Sequence, residues 1–212
     1  MFETFSRKTL HALCDRVAER DAELRAILRT HGYPPLWTRP NTFETLVHII
    51  LEQQVSLASA KAALEKLRER IESITPERVL ALTDDDLRAC YFSRQKTGYV
   101  RALATELQTG ALDLARLKKL PDDRVRARLI ALKGIGHWTI DIYLIFVLHR
   151  TDIFPSGDLA AVNALRRVKR LPAGTSRNAL LVLTAAWSPY RTLATMLLWH
   201  DYLSTPAKLR RV

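Results

Sequence analysis

The chain is poor in the residues that staple or ligate. Its 212 residues hold two cysteines, Cys14 and Cys90. Neither a zinc ligand set nor a four-cysteine iron–sulfur pattern can be assembled from them. No disulfide framework is implied, and a reducing compartment fits. The six histidines are scattered without metal-ligand spacing. No long hydrophobic run occurs: the longest, Ile142 to Leu148, is far too short to span a bilayer. The N-terminus, Met1 to Arg7, lacks the apolar core of a signal peptide. These absences lead us to expect a soluble, cytoplasmic protein with no membrane partner and no cofactor. Glycine is scarce at seven residues, alternating strand patterns are missing, and no internal repeat or low-complexity segment stands out.

What is present favours helices. Apolar residues make up 48% of the chain, with alanine, leucine and arginine dominant. The length suits one large domain or two small lobes with a full core. Lysine and arginine number 33 against 22 acids, a net charge of +11. That surplus is compatible with a nucleic-acid partner, although charge alone also serves solubility.

Helical periodicity predicts an all-α fold of roughly ten short helices. Residues 3–19 and 21–30 precede a proline-rich break from Tyr33 to Pro40. Asn41 or Thr42 can cap a helix through Glu52, with Glu44 placed to support the cap. Further starts lie at Ser56, Thr75, Thr83, Ser93, Pro121, Ser176 and Ser188-Pro189. A helix from His137 to His149 is the most apolar and reads as central and buried.

The segment Leu132-Lys133-Gly134-Ile135-Gly136-His137-Trp138-Thr139 carries the most information. Two glycines one residue apart, ahead of an apolar helix, describe a tight turn between helices. Glycine tolerates positive φ and lets the backbone approach a partner closely. Amides of such a turn and of the following first helical turn form an anion site, and a DNA phosphate is the obvious anion. Downstream, Pro155-Ser156-Gly157-Asp158 starts another helix. An aspartate after glycine at a helix start is ordinarily a cap. The same N-terminus also stabilises a carboxylate, so a cap and a catalytic anion are compatible roles. Asp141 and Asp152 are weaker candidates.

Together with Ile50 to Ser56, Phe92-Ser93-Arg94-Gln95-Lys96 and Trp187-Ser188-Pro189-Tyr190-Arg191 through Trp199, these motifs resemble the helix-hairpin-helix (HhH-GPD) superfamily of DNA glycosylases. The closest branch is the 3-methyladenine DNA glycosylase II, AlkA-like type, and the likeness runs from about Thr42 to Tyr202. It implies a monofunctional glycosylase that hydrolyses the N-glycosidic bond of alkylated purines in double-stranded DNA. Asp158 would be catalytic, twenty residues after Trp138. Where strand-cleaving relatives hold a Schiff-base lysine, this chain has Trp138, so no lyase activity is expected. Trp138 and Trp199 would surround the extruded base, whose positive charge favours stacking on indole. Tyr143 is a further pocket candidate, though an aromatic on an apolar helix is more often core, as Trp187 and Tyr190 are read to be. Lys133, Gly134, Gly136, His137 and Thr139 would contact the DNA backbone. Gln53 and Gln54 offer the plug that fills the gap left by the base, or else tie a helix end together. The carbonyls of Ile130, Leu132 and Ile135 would hold a structural K+ or Na+ ion.

The resemblance further implies two lobes: residues 41–151 with the hairpin, and 1–40 plus 152–212, with DNA and the extruded base in the cleft between. A monomer is expected. Two alternatives stay open: a hairpin protein that binds DNA without catalysis, and a glycosylase for oxidised or mismatched bases.

Overall fold

In the computed structural model, which describes residues 3–206, thirteen α-helices and no strand are found among the described residues. The one β-type pairing among the described residues is an isolated antiparallel bridge between Thr4 and Arg150. The all-α expectation holds. The chain divides into two compact units, Met1–Thr38 with Leu144–Val212, and Arg39–Tyr143. The division therefore falls inside a helix, before the expected boundary at 151.

The first unit is built around its last helix. α1 (Leu10–Glu19) and α2 (Ala22–His31) pack on each other and on α13 (Arg191–Ser204), which also packs on α11 (Leu159–Val168). α12 (Arg177–Ala185) buries little beyond Leu180 and Thr184. α13 is buried along Thr192 to Trp199 without a break, because helices cover it on several sides. An amphipathic helix buries one stripe, and α11 does so through Ala161, Val162, Ala164 and Leu165. α1 starts at Leu10 rather than at residue 3, because the preceding segment is drawn out by Phe5, whose amide donates to the His149 carbonyl at 2.9 Å. Asp21 caps α2 and is almost fully buried. It accepts from Trp187 Nε1 at 2.7 Å and from Lys169 Nζ at 2.6 Å. Trp187 is core, as read from the sequence. Burial works to raise the Asp21 carboxyl, but the bonds from Lys169 and Trp187 win and hold it below the usual range.

The second unit holds α3 (Phe43–Leu51), α4 (Leu57–Ile71), α5 (Pro76–Ala81), α6 (Asp84–Ala89), α7 (Arg94–Gln108), α8 (Leu114–Leu117), α9 (Asp122–Ile130) and the start of α10 (His137–Phe146). α7 is its hub, packed against α3, α5 and α6. The cap expectations fare unevenly. Thr42 caps α3 by accepting from the Thr45 amide, but Glu44 does not support that cap: its carboxylate pairs with Arg68. As the second residue of the helix it stands one short of the reciprocal capping position. Thr83 and Asp86 form the full reciprocal box at α6. The single turn α8, capped by Asp113, had no signal strong enough to read.

Candidate active site

The turn between α9 and α10 is set by local bonds. The Leu132 amide donates to Leu129 O, Ile135 N to Leu132 O, and Ile140 N to Gly136 O, each at 3.1 Å. Ile135 is buried and anchors the turn, while Lys133, Gly136 and His137 are exposed. Gly134 has φ +84, and a Cβ placed on it would lie 2.0 Å from the ring of Tyr99. A residue with a side chain is therefore excluded twice, by dihedral and by collision. Gly136 differs: its φ is not positive, and a Cβ there would meet nothing within 4 Å. Its lack of a side chain leaves open space in front of the backbone.

Two residues outside the motif brace the turn. Tyr99 of α7 lies under Gly134. Gln53, after α3, donates its amide to Gly134 O and to Thr139 Oγ1, both at 2.9 Å. Gln53 thus ties a helix end to the hairpin and is not directed outward as a plug. Gln54 is the exposed residue, in a left-handed conformation with φ 57, next to exposed Val55 and Leu57. Thr139 is buried and engaged with Gln53, so its side chain is not on the surface for a phosphate. Trp138 is half-buried in the first turn of α10.

Tyr143 does not fit the pocket role. It is fully buried, and its hydroxyl donates to Asn41 Oδ1 at 2.7 Å, so it packs the unit's core. Asp141 is buried against Arg126 at 2.6 Å and is consumed by that ion pair. Of the carbonyls assigned to a cation, that of Leu132 already accepts from Ile135. The three side chains there, all aliphatic, add no ligand. No cluster of three or more His, Cys, Asp or Glu suited to a metal occurs among the described residues. No helix among them is long and apolar enough to cross a membrane.

In the first unit, Asp158 caps α11 from an extended conformation. Its Oδ1 accepts from the Ala161 amide at 2.8 Å and from Trp199 Nε1 at 2.9 Å. Trp199, on α13, is 8% exposed. Phe146 stacks on it at 5.3 Å and 29°, and Trp37 meets it edge-on at 6.2 Å and 80°. Trp37 and Phe146 are half-buried aromatics that motif reading did not assign. Trp37 carried one usable signal, a large aromatic on a rigid proline-rich segment; Phe146 carried none. The rival Asp152 is held by Arg191 Nε and Nη2 at 2.7 and 2.9 Å and by Ser188 Oγ at 2.9 Å. Burial works to raise its carboxyl, but Arg191 outweighs that and keeps it low. Burial, with the charge of Asp15 adding, pushes the Cys14 thiol up to about 12, which makes it chemically inert.

The arrangement provides an exposed, braced hairpin with open backbone, and a carboxylate fixed by two donors beside a group of aromatic rings. The description HhH-GPD superfamily base excision DNA repair protein matches residues 47–189. YfjP of Bacillus subtilis, which carries a 3-methyladenine glycosylase name, is 29% identical over 186 residues, covering 84% of this chain and 65% of that protein. The chain thus spans just under two thirds of that relative's length. Among solved structures, the DNA-3-methyladenine glycosidase of Bacillus halodurans superposes with a TM-score of 0.80 at 28% identity, over 95% of this chain and 93% of its own. The 3-methyladenine DNA glycosylase of Schizosaccharomyces pombe, solved with abasic DNA, superposes at 0.81 with 26% identity, over 89% and 95%. With a family match over most of its length and a helical fold shared with these structures, this chain belongs to the HhH-GPD superfamily of base excision DNA repair proteins.

Proposed function

We propose that this chain is a monofunctional DNA glycosylase that releases alkylated purines, of the N3-methyladenine or N7-methylguanine type, by hydrolysis of the N-glycosidic bond. The observation that carries this reading is the Asp158 carboxylate, held by a helix N-terminus and an indole N–H, twenty residues after a hairpin that presents Trp138. The names of the relatives support the same substrate class.

Departure of the base takes the bonding electron pair with it and leaves positive charge on the sugar. An ionised Asp158 stabilises that oxocarbenium-like state and orients the water that adds at C1′, whose proton is lost to solvent. A purine methylated at a ring nitrogen is already cationic and leaves as a neutral base, so no general acid is required. Trp138 supplies an electron-rich face for that cation, a gain of ~1–2 kcal/mol. The open backbone at Gly136, the amides of the turn and Lys133 hold a phosphate. Gln54 fills the gap left by the extruded base. The protein works as a monomer on double-stranded DNA.

The absence of a lysine at position 138 supports hydrolysis without strand cleavage. Borohydride trapping tests this: no covalent protein–DNA adduct is expected, and an adduct would make the enzyme a lyase. An abasic-site assay on duplex DNA bearing one N7-methylguanine tests the activity itself. Base release is expected; tight binding without release would identify a non-catalytic hairpin protein.

A further inference from the structure

Resting on the catalytic reading of Asp158, we infer that Trp199 is a positioning residue for that carboxylate rather than a platform for the base. Three observations meet here. The indole Nε1 donates to Asp158 Oδ1 at 2.9 Å, the same oxygen that takes the Ala161 amide. Both donors grip one oxygen from two directions, which fixes the torsion of the carboxylate about its Cβ–Cγ bond. A capping aspartate with only its backbone donor keeps part of that freedom.

The indole is itself immobilised. Phe146 covers it at 5.3 Å and 29°, Trp37 closes on it edge-on at 6.2 Å and 80°, and the residue is 8% exposed. A ring that stacks on a purine must offer a nearly complete open face, and Trp199 does not offer one. The half-exposed rings of this group are Trp37 and Phe146. The two flanking aromatics hold the indole plane so that its in-plane N–H points at Asp158.

The two roles predict different consequences when only the N–H is removed. In Trp199→benzothienylalanine, sulfur replaces the N–H while the bicyclic ring and its stacking surface remain. We expect the single-turnover rate of base release to fall roughly 10- to 100-fold, the value of a hydrogen bond to a charged group. Affinity for DNA with an abasic analogue should stay within about twofold. Trp199→Phe should lose at least as much. A rate equal to wild type in the isostere overturns the inference and would make Trp199 a stacking residue.

A second readout does not depend on turnover. The indole ¹H–¹⁵N signal that disappears in Trp199→Phe should shift in Asp158→Asn, because its acceptor changes from carboxylate to amide. An unmoved signal also overturns the inference. Wild-type protein that releases no base, with the signal shifting as expected, refutes the catalytic reading while leaving the hydrogen bond intact.

Discussion

The hairpin of the second unit and the Asp158 corner of the first are built by opposite strategies. The hairpin is contiguous in sequence: one helix, the turn and the start of the next helix lie within Asp122 to Tyr143. Its two long-range braces, Gln53 and Tyr99, hold it from behind and leave its front open. The Asp158 corner is assembled from four distant stretches, contributing Trp37, Phe146, Asp158 and Trp199. A backbone grip needs only local geometry, because amides come with every residue. A reacting carboxylate must be aimed, and aiming takes side chains from several elements.

If this division holds, changes at the corner should affect rate and changes at the hairpin should affect binding. The largest expected effect is that of Asp158→Asn: base release should drop by at least about 10³-fold. DNA affinity should be nearly unchanged, as read by a binding titration with abasic-analogue duplex. Next comes Gly134→Ala, which forces a Cβ into the Tyr99 ring at positive φ. It should cost about 2–4 kcal/mol of stability by denaturant unfolding and weaken DNA binding. Gly136→Ala, with empty space around the added carbon, should leave stability within about 0.5 kcal/mol yet still reduce DNA affinity. If the two alanines behaved alike in unfolding, the distinction between braced and open glycine would be wrong.

Gln53→Leu removes two hydrogen bonds to the hairpin and should raise the DNA Kd about 10-fold with little change in single-turnover rate. A pure loss of rate would instead move Gln53 to the chemistry. The smallest effect concerns pH. Arg191 holds the Asp152 carboxyl below its ordinary value, so folding gains stability that is present above the unfolded pKa near 4 and lost as pH falls through the folded one. Asp152→Asn should lower stability by about 1 kcal/mol at neutral pH, and the gap to wild type should close on acidification. A gap that widens in acid would contradict the sign.

The contrast also explains what could be read in the chain. The all-α class, the helix starts at Thr42, Ser56, Thr83 and Ser93, and the hairpin were legible because caps and glycines act over three or four residues. Asp158 was legible as a cap for the same reason, while its catalytic role is what the family resemblance implies. For Tyr143 and Gln53 the chain left two roles open each, core or pocket for the tyrosine and helix tie or plug for the glutamine. Residue type gave no sign that the tyrosine hydroxyl would be spent on Asn41 or the glutamine amide on Gly134. Phe146 reaches Trp199 only through the tertiary fold, so no local pattern marks it, and Trp37 is marked only by its rigid proline-rich segment. Long-range side-chain partners were the part of the site that periodicity cannot encode.

In the proposed reaction Asp158 performs the chemistry and the hairpin does not. Single-turnover release of N7-methylguanine from duplex DNA by wild type and Asp158→Asn, with enzyme saturating over substrate, separates the two roles. The wild type should release the base and the variant essentially none, although both occupy the same DNA. Release by Asp158→Asn at the wild-type rate would contradict that assignment.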